Sequence, residues 1–582
     1  MRLVNCPPRL ALPRRVGAAF FLLNGLLPVA RSVLAEGILD SLKISRQSRQ
    51  VGPGVWHHQM QSAAGPWFIN VLEVDRRQSN LQFKTVKAGR GLHGLARTSV
   101  MAAAVDAERR RVVAAINGDF FDTTGMPINL QVTQGRMLRG PSPHSVVAFT
   151  DRGMPLIEIL SASYRVRTRD GTWRDMQGFN RSRLTDETIL FTSDFGASTS
   201  TNKYGSEAIL RLLSPLAIND TLRAVVRDRR SAAGNAPLAD SLIVVSGHGA
   251  ALRWLDSRIA VGDTLLLVCS LSPARGRIVE ALGGLPRLLR AGKVAVETDR
   301  EGGKHFSEVR HPRTAIGFSA DSSKVFLVTV DGRQEHSLGM TLYELADFMH
   351  SLGCAEALNL DGGGSTTMVV RGKIVNHPSD ATGERPVGNA LLLISRAPTG
   401  RLAHLSVQPR RAVLAPEEHI DFAVAATDSF FNPLSIGEDQ FSWRLSRKNG
   451  PGKIDDRGRW TAVSREMTKE DSGYVMVYRS PALRDSAKVI VTAWRELEIE
   501  PDSLVLQSGG SRALAPKLID SRGGAYRRPP ARFDWEVEGG IGSISPTGVF
   551  TAGRTGSGWV RVRFEQLERR IPVQINASTS GP

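Results

Sequence analysis

A mixed α/β domain followed by two all-β sandwiches is the architecture this sequence predicts. Over residues 36–400, strand-like alternation and helix-like periodicity are interleaved. Over residues 401–577 an internal repeat of short strands carries no helical period. At 582 residues the chain also exceeds one ordinary core, since domains hold roughly 100 to 200 residues.

The first 35 residues stand apart. Arg2, Arg9, Arg14 and Arg15 precede the apolar run GAAFFLLNGLLPVA, and Val33-Leu34-Ala35 offers small residues for cleavage. This pattern predicts a signal peptide over 1–35 and a secreted or periplasmic protein. The run is shorter than the ~20 residues that span a bilayer, which disfavours the alternative of an uncleaved anchor. Cys6 would leave with the signal, so Cys269 and Cys354 could form one disulfide but no framework. Without a CxxC or a nearby histidine pattern, they do not predict structural zinc. Apolar residues at 41% and charged residues at 23% fit a folded, soluble chain. The formal charge of +18 comes from scattered arginines rather than a basic helix interleaved with aromatics. That points away from nucleic acid, and the excess reads either as a general affinity for polyanions or simply as arginine-rich genome usage.

Within 36–400, Trp67 to Val74 and Leu81 to Val86 alternate like neighbouring strands, and Ser99 to Arg110 reads as a helix. Val112 to Ile116 is a short buried strand ending at NGDFFD, and Val325 to Val330 is another ending at DGR. TLYELADFMHSLG predicts an amphipathic helix with a Thr341/Glu344 capping box and a stop at Gly353. Glu356 to Leu360 is a strand ending at LDGGGSTT, followed by a hairpin around Arg371-Gly372. Three polar turns thus follow short apolar strands, where such scaffolds place their sites. His57 and His58 read as loop residues.

In the C-terminal part, Leu405 to Pro409 recurs as Leu497 to Pro501, Asp428 as Asp520, and Phe441-Ser442-Trp443 as Phe533-Asp534-Trp535. Gly458 to Ala462 then returns as Gly548 to Ala552. Two modules follow, 401–494 and 495–577, resembling bacterial immunoglobulin-like sandwiches, with Trp443 and Trp535 expected in their cores.

The loop NLDGGGSTTM carries the chemistry. Gly362, Gly363 and Gly364 permit positive φ and close approach to main-chain N–H groups, and Ser365 and Thr366 add hydroxyls, a combination suited to an anion. It has neither Walker nor GxGxxG order, so no nucleotide cofactor is expected. Beside it, Asp361 suits the carboxylate that faces an oxocarbenium ion when an anomeric C–O bond breaks. A phosphate leaving group would need Arg or N–H donors more than it needs protonation. No GxSxG elbow or metal-binding histidine set supports acyl or phosphoryl transfer.

NGDFFD, HPRTAIGF, the span from VTVDGR through LNLDGGGSTT to NHPSD, and ERPVGNALLL together resemble the phosphodiester glycosidase family. The resemblance implies an exported hydrolase that removes a sugar from a sugar 1-phosphodiester, without implying which sugar. Asp361 is then the first choice for the carboxylate facing the anomeric carbon, with Asp119 as acid or base and Glu384 as a second acid. Asn117, Asn359, Gly362, Gly363, Gly364, Ser365, Thr366 and Arg385 would line the pocket. Arg313 and Arg333 would clamp the phosphodiester, His336 would donate to it, and Asp331 is either a turn former or a site residue. No EF-hand spacing predicts bound calcium, and no metal is assigned. The alternative is a non-catalytic glycan or polyanion binding protein of the cell envelope.

Overall fold

The computed structural model describes residues 44–577 apart from 64, 90, 215–216, 274–275, 438–439 and 464–468, so the predicted signal peptide lies outside the described residues. Strand accounts for 51% of the described residues and helix for 8%. The α/β expectation for 36–400 is therefore corrected toward β. Four α-helices occur among the described residues: α1 (Thr98–Val105), α2 (Ala250–Arg258), α3 (Gly303–Glu308) and α4 (Leu342–Ser351). The physical reason lies in the connections. Parallel pairing needs a crossover of a dozen or more residues, and the strands around the site instead pair antiparallel.

Two sheets position the site. One has eight strands, and its centre runs Trp67–Asp75, Lys324–Val330, Arg313–Phe318, Glu356–Asn359. The other has five, including Met368–Val370, Arg111–Asn117, Asn389–Ser395 and Leu81–Lys87 in that order. They pack face to face through Ile116, Leu391 and Leu393 against Ile316, Leu327 and Leu358. α4 covers the outer face of the first sheet with Leu342, Leu345, Phe348 and Met349, and α1 covers the outer face of the second with Met101 and Ala102. Leu345 is fully buried, so truncating it to Ala would cost roughly 2 to 5 kcal/mol.

α4 forms as its sequence predicts. Glu344 N–H donates to Thr341 Oγ1 at 3.1 Å, and Thr341 N–H donates to Glu344 Oε2 at 2.9 Å. The hairpin also forms, with Val370 opposite Lys373 and positive φ at Arg371 and Gly372. The helix expected to reach Arg110 ends at Val105, where the Asp106 carboxylate accepts the Val112 N–H at 2.7 Å and turns the chain. The two strands expected to be neighbours are split: Trp67–Asp75 pairs with Lys324–Val330, and Leu81–Lys87 with Asn389–Ser395. Alternation fixes which face of each strand is apolar, but not which strand pairs with it. His57 and His58 lie buried in strand Val55–Ser62 rather than in a loop.

The two C-terminal repeats share one strand order. Each has a three-stranded, a four-stranded and a second three-stranded sheet, connected identically. Trp460 and Phe550 occupy equivalent places and are fully buried, whereas Trp443 and Trp535 pack against the two cores half-buried. A Cβ at Gly458 or Gly548, both at positive φ, would press on Trp443 or Trp535 respectively. Cys269 and Cys354 are both free and buried in different cores, so the disulfide does not form. No helix among the described residues is long and apolar enough to cross a membrane.

Candidate active site

The C-terminal end of strand Arg111–Asn117 and that of Glu356–Asn359 come together where the two sheets abut. Asn117 joins them: its Nδ2 donates to the Asp361 carbonyl at 2.6 Å, while its Oδ1 accepts Thr314 Oγ1 at 2.8 Å and the Thr367 N–H at 3.1 Å. The Asp361 N–H donates to the Gly118 carbonyl at 3.0 Å. The turns NGD and LDGGG are therefore bonded to each other, which places Asp119 and Asp361 in one electrostatic neighbourhood.

The two carboxyls differ. Asp119 is 1% exposed. Its Oδ2 accepts the Asn129 N–H at 3.0 Å, while its buried Oδ1 has no hydrogen-bond partner. Burial, with the Asp361 charge adding, pushes it up to about 8 against the pull of the Asn129 N–H. Asp361 is pushed up to about 6, chiefly by burial, against the Ser365 hydroxyl, the Gly362 N–H and the charge of Arg385. Near neutral pH one group holds its proton and the other is mostly ionised. Paired carboxyls in acid and base roles require that separation.

The glycines serve close approach more than anion binding. Gly362 N–H donates to Asp361 Oδ1, Gly363 to the Pro312 carbonyl, Ser365 to Gly362, Thr366 to Gly363, and Thr367 to Asn117. Among the described residues of this turn only the Gly364 N–H has no intrachain acceptor. A Cβ on Gly364 would collide with Asp380 and Arg385, and one on Gly363, whose φ is +62°, would press on Arg333. Arg385 is held by Asp380 at 2.7 and 2.9 Å, and exposed Arg333 reaches His311 Nδ1 at 3.2 Å. Two guanidinium groups thus stand over the glycine turn.

Other expected residues are engaged elsewhere. Both Glu384 oxygens accept from Ser99, its N–H at 2.8 Å and its Oγ at 2.5 Å, in the first turn of α1. Arg313 is buried, and donates to the carbonyls of Met340 at 2.9 Å, Phe306 at 3.2 Å and Val309 at 2.6 Å while lying over the Phe306 ring. Burial lowers it to about 10. Asn359 donates to the Leu285 carbonyl at 2.6 Å and leaves its buried Oδ1 unpartnered. Asp331 and His336 form a separate group with His377.

Sequence reasoning missed several neighbours. Asn129 donates to the carbonyls of His144 and Ser145, both at 3.0 Å, and accepts the Ser142 N–H. The buried Oγ of Ser142 and Nδ1 of His144 are unpartnered. Arg139 contributes a stabilising charge to ionised Asp119, and its Nε is buried without a partner. Asn389 Oδ1 accepts the Asp119 N–H at 2.7 Å. Gly283 must be glycine because a Cβ would strike the Asp119 carboxyl. Such orphaned polar groups around one buried acid suit a ligand rich in hydroxyls.

A phosphodiester glycosidase family model matches residues 212–394. The human N-acetylglucosamine-1-phosphodiester alpha-N-acetylglucosaminidase is 30% identical over 171 residues, 28% of this chain and 31% of that protein. A prophage-derived uncharacterized protein of Bacillus subtilis is 45% identical over 85 residues, 15% of this chain and 13% of that protein. The chain thus spans less than a third of the length of these curated relatives. Among solved structures, a hypothetical protein from Synechocystis aligns over 60% of this chain and 64% of that one, at 21% identity and a TM-score of 0.49. The segment that matches the phosphodiester glycosidase model, residues 212–394, carries Asp331, Arg333, Asp361 and Arg385.

Proposed function

We propose that the chain is an exported phosphodiester glycosidase that hydrolyses the C1–O bond of a sugar 1-phosphodiester in envelope or extracellular glycans. Residues 36–400 form its hydrolytic domain, and 401–494 and 495–577 are immunoglobulin-like spacers or docking modules. The observation that carries this reading is the neighbouring pair Asp119 and Asp361, buried to different extents and held at about 8 and about 6. Ionised Asp361 faces C1 as positive charge develops there, and protonated Asp119 supplies a hydrogen-bond donor beside it. Arg333, Arg385 and the Gly364 N–H receive the negative charge that moves onto the departing phosphate. The C1–O electron pair leaves with the phosphate, a water oxygen bonds to C1 as one of its O–H bonds breaks and that proton passes to the solvent or the released phosphate, and the products are a free sugar and a phosphomonoester. Glu384 holds α1, and Arg313 supports the wall beneath the site.

The test is a panel of sugar 1-phosphodiesters incubated with the full chain, scored by release of free sugar. Turnover of at least one member supports the reading. Binding across the panel with no sugar released would replace it with the glycan-binding alternative.

A further inference from the structure

The loop DGRQEHS carries a second cluster that the glycosidase reading leaves unused. Asp331, which directly follows strand Lys324–Val330, is fully buried. Its Oδ2 accepts the His377 N–H at 3.0 Å and lies 2.8 Å from His377 Nδ1 and 3.4 Å from His336 Nε2. Its Oδ1, equally buried, meets no donor. The carboxylate oxygen and the two imidazole nitrogens all lie within 4.8 Å of one another. The histidine rings are 4.7 Å apart, and both stand edge-on to Phe68. Each histidine side chain keeps about half its surface in solvent, 41% for His336 and 55% for His377.

We infer that Asp331, His336 and His377 form a site for a divalent transition metal of the zinc class, with one coordination position open to solvent. Zinc takes imidazole nitrogen and carboxylate oxygen at roughly 2.0 to 2.2 Å in a tetrahedron, whose edges are then about 3.3 Å. The two Asp331–histidine separations bracket that edge. The remaining histidine–histidine edge closes by rotation of two rings that solvent leaves free to turn. Two imidazoles select against calcium and magnesium, which take oxygen ligands. Outer contacts orient the ligands: Ser337 Oγ donates to the Asp331 carbonyl at 2.6 Å, and Gln334 Nε2 donates to the His377 carbonyl at 2.9 Å. Bound metal would tie the loop that carries Arg333 to the segment that leads to Asp380. The inference stands whether or not the chain hydrolyses glycosides.

Chelator-treated full-length protein titrated with zinc chloride at neutral pH should take up one equivalent with a Kd below about 1 μM, far more tightly than calcium. Cobalt(II) should give the intense visible bands of a four-coordinate site. The double variant His336→Ala/His377→Ala should weaken that equivalent by about 100-fold or more, while His350→Ala, on the exposed face of α4, should leave it unchanged. Absence of the equivalent, its persistence in the double variant, or a preference for calcium would overturn the inference. The cobalt spectrum of the unaltered protein decides the matter even if a variant fails to fold.

Discussion

Asp428 in the first C-terminal module and Asp119 in the candidate site are both buried carboxylates, 0% and 1% exposed, and they differ in what meets them. Asp428 accepts N–H groups from Gly400, Phe430 and Asn432 and the Asn432 side-chain amide, at 2.7 to 3.0 Å. Burial raises its pKa, but these donors outweigh burial and hold it below the ordinary value. The Asp119 carboxyl accepts the Asn129 N–H on one oxygen and leaves the other bare, and it rises to about 8. Burial alone does not mark a functional acid. The shortage of donors does, because a carboxyl left unsatisfied by its own chain is free to exchange a proton with something else.

The largest way to break this contrast is substitution to asparagine, which keeps shape and removes charge. Asp361→Asn should lower kcat for a cleavable sugar 1-phosphodiester by about 1,000-fold or more with the fold intact, whereas Asp428→Asn should leave kcat unchanged. Equal loss in both, with both proteins folded, would dissolve the distinction. Next in size is the pH profile. Activity should fall about tenfold per unit below about 6, as Asp361 takes up a proton, and likewise above about 8, as Asp119 loses one. Asp119→Asn should abolish the alkaline limb, and a limb that survives in that variant would assign it to another group.

Stability should move in opposite directions at the two acids. Asp428→Asn should destabilise its module by about 1 to 3 kcal/mol through donors left without a charged partner, read by denaturant melting of the full chain. Asp119 is raised in the folded state, so its contribution is fully present below the ordinary value of 3.8 and is lost as pH rises through about 8. Asp119→Asn should therefore gain stability relative to the parent between pH 5 and pH 9, and a constant difference would refute the raised value. The smallest expected effect concerns the modules themselves. A chain ending at Ser395 should keep hydrolysis of a small soluble substrate, since every proposed site residue precedes it, and loss of activity in a folded truncation would show that the modules complete the pocket.

The legible part of the site was the part that lies in turns. NGD and LDGGG announce themselves because glycine, asparagine and aspartate after an apolar strand have few structural alternatives. Asn129 and Arg139 were invisible because strand pairing, not local sequence, carries them to Asp119. Gly283-Gly284, which closes the apolar strand Ile278–Gly283, carries a similar signal. Glu384 and Arg313 show the converse. Their motifs mark them, yet Glu384 is taken by Ser99, 285 positions away, and Arg313 by carbonyls of the wall. The helix α4 could be read to the residue because its cap, its period and its stop agree. The antiparallel sheets could not, because pairing between strands far apart in the chain leaves no local trace.

The strand order of the two modules also has a mechanical consequence. In each, a short early strand runs parallel to the last one: Arg411–Leu414 beside Arg484–Val491, and Leu504–Gln507 beside Leu567–Asn576. Tension that enters near the start of a module and leaves at its end pulls these partners past one another along their length. Their four register pairs per module are then loaded together in shear rather than opened one at a time. Loaded in this way, each module would resist extension along the chain.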